Sequence, residues 1–246
     1  MKIETNVLTH FLKRCMVSTH GFGNKSVTAM PDLLLVAEGE QLKVEGVSPA
    51  GNLQIEFVET LSESIDREEF PIVDTVLFHK IVSSEMDGEI NMYMDGNLII
   101  LESEKTKVTF PTVEEIETMK RYPEARDKIK VDGYGRVNFT TTVKITAIEL
   151  ASAIGNSGNT YGLYVYEFTV ENGKFNISIK TDDKGSVIKT PTALVSGIDC
   201  SAKYATGIDT IFKGMVGEVK LQFNQNTPMA GIDEVGNKSV FMPLDN

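Results

Sequence analysis

The sequence predicts an α+β fold built from two duplicated halves, each with two short helices packed on antiparallel β-sheets. Three observations lead to this fold class. Most of the 246 residues alternate between apolar and polar side chains, which is the pattern of half-buried strands. Only four short stretches have apolar residues at helical spacing. The order of helix, hairpins, helix and strands then occurs a second time along the chain, which indicates an internal duplication.

Four helices are predicted, and they span residues 6–17, 73–84, 144–156 and 202–214. In the first, helical spacing places four apolar side chains on one face: Leu8, Phe11, Leu12 and Cys15. The second and fourth helices each run into the same Gly-Glu-(Ile/Val) junction, at Gly88-Glu89-Ile90 and at Gly217-Glu218-Val219. The matching register of the two junctions supports the duplication.

The predicted strands are separated by recognisable turns. An alternating run that contains Leu42 and a second that begins at Leu53 flank the turn sequence Ser-Pro-Ala-Gly-Asn. In the second half, Asn172-Gly173 lies between two alternating runs and is a typical hairpin signal. Hairpins of this kind predict mainly antiparallel sheets.

A charged segment between the halves is predicted to be an exposed connector. The segment, residues 111–136, is interrupted by Pro111, Pro123, Gly133 and Gly135 and has few β-branched residues before Ile129, a composition typical of a chain that lies over a surface. Met119 and Tyr122 are its candidate anchors. We therefore divide the chain into domain 1 (residues 1–115), a connector (residues 116–135) and domain 2 (residues 136–246).

Composition and charge exclude several classes of protein. The net charge of −11 argues against wholesale binding to nucleic acid or to anionic membranes. The N-terminus has no apolar signal region, and no apolar run approaches the ~18 residues that span a bilayer. Cys15 and Cys200 lack CxxC spacing and are expected to be buried free thiols. We expect a cytoplasmic protein without membrane association.

No catalytic, metal or cofactor site is predicted. The three histidines, His10, His20 and His79, do not have the spacing of metal ligands, and the chain contains no GxSxG nucleophile motif. Carboxylate pairs discriminate nothing in a chain with 35 acidic residues. The sequence therefore predicts a protein that is not an enzyme.

The charges are distributed unevenly along the chain. Acidic residues concentrate in strands, turns and the connector, whereas basic residues accompany three of the predicted helices. These basic residues are His10, Lys13 and Arg14 in the first helix, His79 and Lys80 in the second, and Lys203 and Lys213 in the fourth. The pattern predicts two faces of opposite sign, unless the lysines are only the solvated ends of amphipathic helices.

Six segments follow one another along the chain: MKIETNVLTHFLKRC, LLLVAEGEQLKVEGVSPAGNLQIEF, LFHKIVSSEMDGEINMYMDGNLIILES, KITAIELASAI, IFKGMVGEVKLQFNQNTPM and SVFMPLDN. Taken in this order, they resemble a DNA sliding clamp of the two-domain type, represented by proliferating cell nuclear antigen, its archaeal relatives and the clamps of tailed phages. The resemblance spans essentially the whole chain and lies in the order of the segments rather than in any single motif. The third helix departs from it, because this family often has an arginine or lysine there.

The resemblance implies a ring of six domains that encircles double-stranded DNA and confers processivity on a DNA polymerase. Bacterial clamps have a third domain that this sequence lacks, so a homotrimer is expected. An ATP-driven clamp loader would open the ring. The helix side would contact DNA phosphates without sequence preference. The DNA-facing residues implied are His10, Lys13, Arg14, Lys80, Lys203 and Lys213.

The resemblance also implies an apolar groove, beside the connector and the C-terminal strand, that accepts a short peptide of the polymerase or of other replication proteins. If a phage encodes the chain, the compartment is the host cytoplasm. The candidate groove residues are Leu42, Met119, Tyr122, Pro123, Pro243 and Leu244, each of which could instead serve ordinary packing.

Two other classes of protein remain open at this point. A β-rich structural protein of the phage tail or capsid type would also be acidic and repetitive, but its helices would show no basic preference. A small-molecule-binding β enzyme would need a constellation of polar residues that the sequence does not contain.

Overall fold

The computed structural model describes residues 1–16, 18–20, 26–28, 30–51, 53–128, 137–155, 164–181, 185–204 and 208–243. The chain divides into two compact units. Unit 1 comprises Met1–Met16 and Met30–Glu124, and unit 2 comprises Val17–Ala29 and Ala125–Asn246.

Five helices occur in the described part of the chain. They are α1 (Thr5–Cys15), α2 (Thr75–Glu85), α3 (Glu117–Lys128), α4 (Ala147–Ile154) and α5 (Ile208–Gly214). Helix α1 packs against α2 in unit 1, and α4 packs against α5 in unit 2.

The described strands are mostly short, apart from two long ones in unit 1. They are β1 (Lys2–Glu4), β2 (Ser18–His20), β3 (Ser26–Thr28), β4 (Leu33–Val47), β5 (Leu53–Ile72), β6 (Glu89–Asp95), β7 (Leu98–Glu102), β8 (Lys107–Pro111), β9 (Thr141–Thr146), β10 (Tyr164–Glu171), β11 (Lys174–Thr181), β12 (Gly185–Lys189), β13 (Leu194–Gly197), β14 (Cys200–Tyr204), β15 (Glu218–Phe223), β16 (Met229–Asp233) and β17 (Lys238–Phe241).

All the strand pairings within the units are antiparallel. Unit 1 contains a sheet of order β1-β6-β7-β8 and the long pair β4-β5. Unit 2 contains the orders β12-β11-β10-β14 and β13-β9-β15-β16-β17, together with the small pair β2-β3. The predicted hairpin at Asn172-Gly173 is present, and both of these residues have the positive φ, 52° and 71°, that such a turn requires.

The two halves repeat one junction in detail. Gly88 and Gly217 have φ angles of 66° and 65°, a region that glycine adopts at little cost. The first residue of α1 donates its N–H to the carbonyl of Gly88 over 2.9 Å. The first residue of α4 donates in the same way to Gly217 over 2.8 Å. One of the orphan N–H groups of each leading helix is thus satisfied by the turn that precedes β6 or β15.

Local chemistry explains where the predicted helices begin. The carboxylate of Asp74 accepts from the N–H of Leu77 at the start of α2, and the Thr146 hydroxyl accepts from Glu149 at the start of α4. The predicted third helix therefore began too early, because residues 144–146 belong to β9, which pairs with β13 and β15. The predicted fourth helix also began too early, because residues 202–204 belong to β14, which pairs with β10.

The predicted connector contains helix α3, which the sequence did not predict, and its candidate anchors Met119 and Tyr122 do attach it to unit 1. Ile116 and Tyr122 are buried, and Met119 packs against Leu34 and Val36 of β4. Met119 and Tyr122 lie three positions apart on one apolar face of α3, and Ile116, directly before the helix, extends that face.

Candidate nucleic-acid interface and partner surface

Helices α1 and α2 carry an exposed basic surface in unit 1. His10 and Lys13 are three positions apart on α1, so they share a face, and both are exposed. Lys80 is exposed on α2, which packs against α1. The apolar face of each helix is buried, for example at Phe11 of α1 and Phe78 of α2. The polar faces are therefore left available to a ligand.

Arg14 lies differently from the other predicted DNA-facing residues of α1. Its side chain is only 15% exposed, and Nη1 donates to Glu59 Oε2 of β5 over 3.2 Å. The guanidinium also lies 5.7 and 5.8 Å from the ring centroids of Phe11 and Phe57, a cation–π arrangement. Its charge is therefore balanced inside unit 1, which makes Arg14 less suited to a phosphate contact than Lys13.

His79 is half-buried on the side of α2 that meets α1. Its Nε2 has no hydrogen-bond partner among the described residues. Burial lowers the pKa of His79 below its ordinary value, and the nearby charge of Lys13 lowers it further, although a hydrogen bond with the backbone of Thr9 acts in the opposite direction. The ring is therefore neutral at neutral pH and does not add to the basic surface.

The helix pair of unit 2 is less basic than that of unit 1. Lys213 is exposed in the last turn of α5. Helix α4 contains no basic residue, as the sequence indicated, and its exposed positions are Ile148, which is 84% exposed, and Ser152.

Lys203 does not lie on a helix, in contrast to its predicted position. It is half-buried on β14, directly opposite Glu167 of β10. The pKa of Glu167 is lowered, first by a hydrogen bond from Lys180 and to a smaller extent by the charges of Lys180 and Lys203. Lys203 thus belongs to a charge network on a sheet rather than to a helix surface.

The candidate groove residues divide into buried and accessible ones. Leu42 and Tyr122 are 0% and 2% exposed, so in this state they offer no surface to a partner. Met119 in unit 1 and Pro243 in unit 2 are half-buried and remain reachable. Pro123 lies within α3, but its side chain is outside the described residues, as is the whole of Leu244.

Helix α3 is held on unit 1 by polar contacts as well as by its apolar face. Asp32 binds the start of the helix, because its carboxylate accepts from the Glu117 N–H over 3.1 Å and from the Thr118 hydroxyl over 2.7 Å. The Tyr122 hydroxyl donates to Glu56 Oε2 over 2.5 Å. Burial, followed by the charge of Glu56, raises the pKa of Tyr122, so the phenol keeps its proton and remains a donor.

An exposed apolar edge is the feature of unit 2 that sequence reasoning missed. Among the described strands, β12 lies at the edge of its sheet, with Val187 and Ile188 57% and 67% exposed. The sequence predicts strand structure over residues 187–195, but the pattern carries no signal of where this strand lies in the sheet. Edges of this kind are normally covered by another chain or element.

Two further expectations can be compared with the structure. Cys15 and Cys200 are both buried and neither forms a disulfide, as predicted, and burial raises the pKa of the Cys15 thiol. None of the helices in the described part of the chain is long and apolar enough to cross a membrane.

The chain has the fold of the DNA sliding clamps, which confirms the predicted fold class and the resemblance seen in the sequence. The DNA polymerase III beta subunit of Thermotoga maritima is similar over 100% of this chain, with a TM-score of 0.70 and 15% sequence identity. The DNA polymerase sliding clamp of Bacillus subtilis is similar over the same extent, with a TM-score of 0.74 and 12% identity. The PCNA2–PCNA3 complex of Sulfolobus tokodaii has a TM-score of 0.69 and 14% identity.

The similar structures differ in how much of their own length this chain spans. The chain covers 65% of the Thermotoga protein and 64% of the Bacillus protein, whereas it covers 99% of the Sulfolobus chain and is itself covered to 99%. At sequence identities of 12–15%, the similarity shows that these proteins share a fold and shows nothing further. No protein-family model matches the chain, and no curated protein is similar to it in sequence.

Proposed function

We propose that this protein is a DNA sliding clamp, a non-enzymatic ring that encircles duplex DNA and tethers a DNA polymerase and other replication proteins in the cytoplasm. One observation carries the proposal. The likeness to a clamp structure runs from one end of the chain to the other and covers 99% of both proteins. Both units of the chain are therefore accounted for by the clamp fold.

The exposed basic residues of the helix pairs support a weak, sequence-independent contact with DNA. His10, Lys13, Lys80 and Lys213 are exposed on α1, α2 and α5. A few lysines attract phosphates without reading bases, which suits a protein that must move along the duplex. The remainder of a chain with a net charge of −11 repels DNA, so the attraction is confined to the helices.

Edge strands would close the ring from three copies. We propose that β12 of one copy pairs with β8 of the next, because both strands lie at the edge of a sheet among the described strands. Pairing would cover the exposed Val187 and Ile188. Three copies of a chain with two units supply six units, and head-to-tail contacts of this kind close into a cyclic ring.

Partner proteins would dock beside the connector. Met119 is half-buried on α3, next to Leu34 and Val36 of β4, and would supply part of an apolar surface for a short peptide. Pro243 of unit 2, shortly after β17, is a separate half-buried candidate. Opening of the ring for loading is assigned to a separate ATP-driven loader.

A retention experiment tests the proposal without a loader. Rings thread onto a linear duplex that is fixed to a bead at one end, and the free biotinylated end is then closed with streptavidin. A clamp stays on the closed duplex through a high-salt wash and leaves when a restriction enzyme cuts the duplex. Loss of the protein in the wash before cutting would refute encirclement.

Variants test the DNA-facing residues in the same experiment. The triple variant Lys13→Ala, Lys80→Ala and Lys213→Ala should thread less efficiently, because each substitution removes an attraction to phosphate. Lys105→Ala, which removes an exposed lysine from the turn between β7 and β8, is the control for loss of a lysine outside the helices and should thread normally. Equal threading of the triple variant and the wild type would remove these residues from the DNA site.

A further inference from the structure

Helix α4 lacks a cation of its own, but a lysine from another element supplies one. Lys189 is the last residue of β12, and its Nζ donates to the main-chain carbonyl of Ser152, 3.0 Å away in the last turn of α4. A Cβ built on Gly155, directly after the helix, would lie 2.8 Å from the same Nζ. The ammonium therefore occupies the space where a side chain at position 155 would begin.

The segment that carries Lys189 is fixed to α4 at two points. Besides the bond from Lys189 to Ser152, the N–H of Thr192 donates to Glu149 Oε1 over 3.2 Å. The two bonds are separated by three residues in each segment, so residues 189–192 run along one side of the helix. The single acidic residue of α4 is thereby engaged with the backbone, and the lysine is held in place at the C-terminal end, where the helix dipole favours a cation.

We propose that Lys189 is a DNA-contacting residue, which provides α4 with the phosphate-binding charge that the helix sequence lacks. The inference rests on the proposed function and adds a residue to its DNA site. Because Lys189 is already held by Ser152, little side-chain entropy is lost when it meets a phosphate. With Lys213 on α5, it gives both helices of unit 2 a cation, as α1 and α2 have in unit 1.

The test compares the salt dependence of DNA binding among matched variants. A short fluorescein-labelled duplex with open ends is titrated with the protein at several salt concentrations, and the slope of log K against log salt is measured. Lys189→Met keeps the length of the side chain and removes the charge. We expect the slope to become shallower by about 0.9 for each phosphate that the variant no longer neutralises. Lys174→Met, an exposed lysine of the β10–β11 hairpin, should leave the slope unchanged.

A rescue variant separates DNA contact from helix capping. Ser152→Lys in the Lys189→Met background places a charge on the exposed side of α4 and should restore the slope. Light scattering and the thermal midpoint of each variant verify that the ring and the fold are intact. A slope that Lys189→Met leaves unchanged, or one that Ser152→Lys fails to restore, would show that Lys189 only caps the helix.

The outcomes separate failure of the inference about Lys189 from failure of the proposed clamp function. If Lys189→Met binds like the wild type while the triple lysine variant threads poorly, the inference is overturned and the clamp proposal stands. If the wild type is not retained on the closed duplex, the clamp proposal itself fails.

Discussion

The protonation of one histidine at the contact between α1 and α2, His79, depends on its surroundings. His79 meets α1 beside Thr9 and Lys13, and its buried Nε2 has no partner among the described residues. A proton on this ring would be poorly solvated and would repel Lys13, which is why the pKa of His79 is lowered. The contact between α1 and α2 is thus built for a neutral histidine.

The stability of unit 1 should consequently fall in mild acid. The folded pKa of His79 lies below the ordinary value of 6.5, so the unfolded chain binds this proton first as the pH falls. We expect urea midpoints to drop more for the wild type than for His79→Gln between about pH 7.5 and about pH 5.5, which bracket that value. His10→Gln, at an exposed histidine of α1, is the control and should follow the wild type. Parallel curves for wild type and His79→Gln would contradict this prediction.

Helix α3 is an element whose formation depends on tertiary contacts with unit 1. Asp32 binds its first turn, and the apolar side chains of Ile116, Met119 and Tyr122 attach it to unit 1. These contacts hold the helix where partners are proposed to dock. Its position therefore depends on a few identifiable bonds, of which the one between Tyr122 and Glu56 is among the most buried.

Removing the Tyr122 hydroxyl should loosen α3. Tyr122→Phe removes one hydrogen bond to a charged carboxylate, at a cost of about 1.5–3 kcal/mol. Hydrogen exchange of residues 116–122 should accelerate, and the urea midpoint should fall. Tyr93→Phe is a matched control, because Tyr93 also donates to a half-buried glutamate, Glu102, over 3.1 Å, but between β6 and β7 and away from α3. Equal effects of the two substitutions would show that the bond to Glu56 does not hold the helix.

Helices defined by local sequence signals were predicted accurately, whereas elements that depend on residues distant in the chain were not. The helices α1 and α2 were predicted within about two residues of their bounds, because a local apolar stripe and, for α2, an N-cap define them. The starts of α4 and α5 were wrong, because residues 144–146 and 202–204 are drawn into strands by pairing partners distant in the chain. Helix α3 was missed, because Pro123 is a local signal against a helix whereas its stabilising partner Asp32 lies far away in sequence.

The residues of the candidate site were also predictable only where the evidence for them is local in the sequence. Lys13 and Lys80 were selected because basic residues accompany the predicted helices, and the clamp resemblance implied their contact with DNA. Both are exposed on α1 and α2, and the contact itself stays a prediction. The ion pair of Arg14 with Glu59 and the approach of Lys189 to α4 depend on residues brought together by the fold, so no local pattern reports them. Charge in the sequence therefore locates basic elements, but only the structure shows which charges are already balanced.

At the scale of the whole molecule, the proposed ring depends on one apolar strand edge. Ile188→Lys should break the contact between copies, because a charge would enter an apolar surface at a cost of about 2 kcal/mol or more, roughly 30-fold in the dissociation constant. Ile188 is 67% exposed, so the fold of the single chain should persist. Light scattering at micromolar concentration should find three chains per particle for the wild type and one for the variant, which should also no longer be retained on the closed duplex.

Leu194→Lys provides the matched control for this last prediction. Leu194 is 72% exposed on β13, at the edge of the other sheet of unit 2 among the described strands, so it is equally apolar and accessible. Because the proposed contact uses β12, Leu194→Lys should leave the particle and its retention intact. A trimer that survives Ile188→Lys but dissociates with Leu194→Lys would move the contact to β13. A wild type that remains a single chain at every concentration would refute the proposed ring, because one chain supplies only two of its six units.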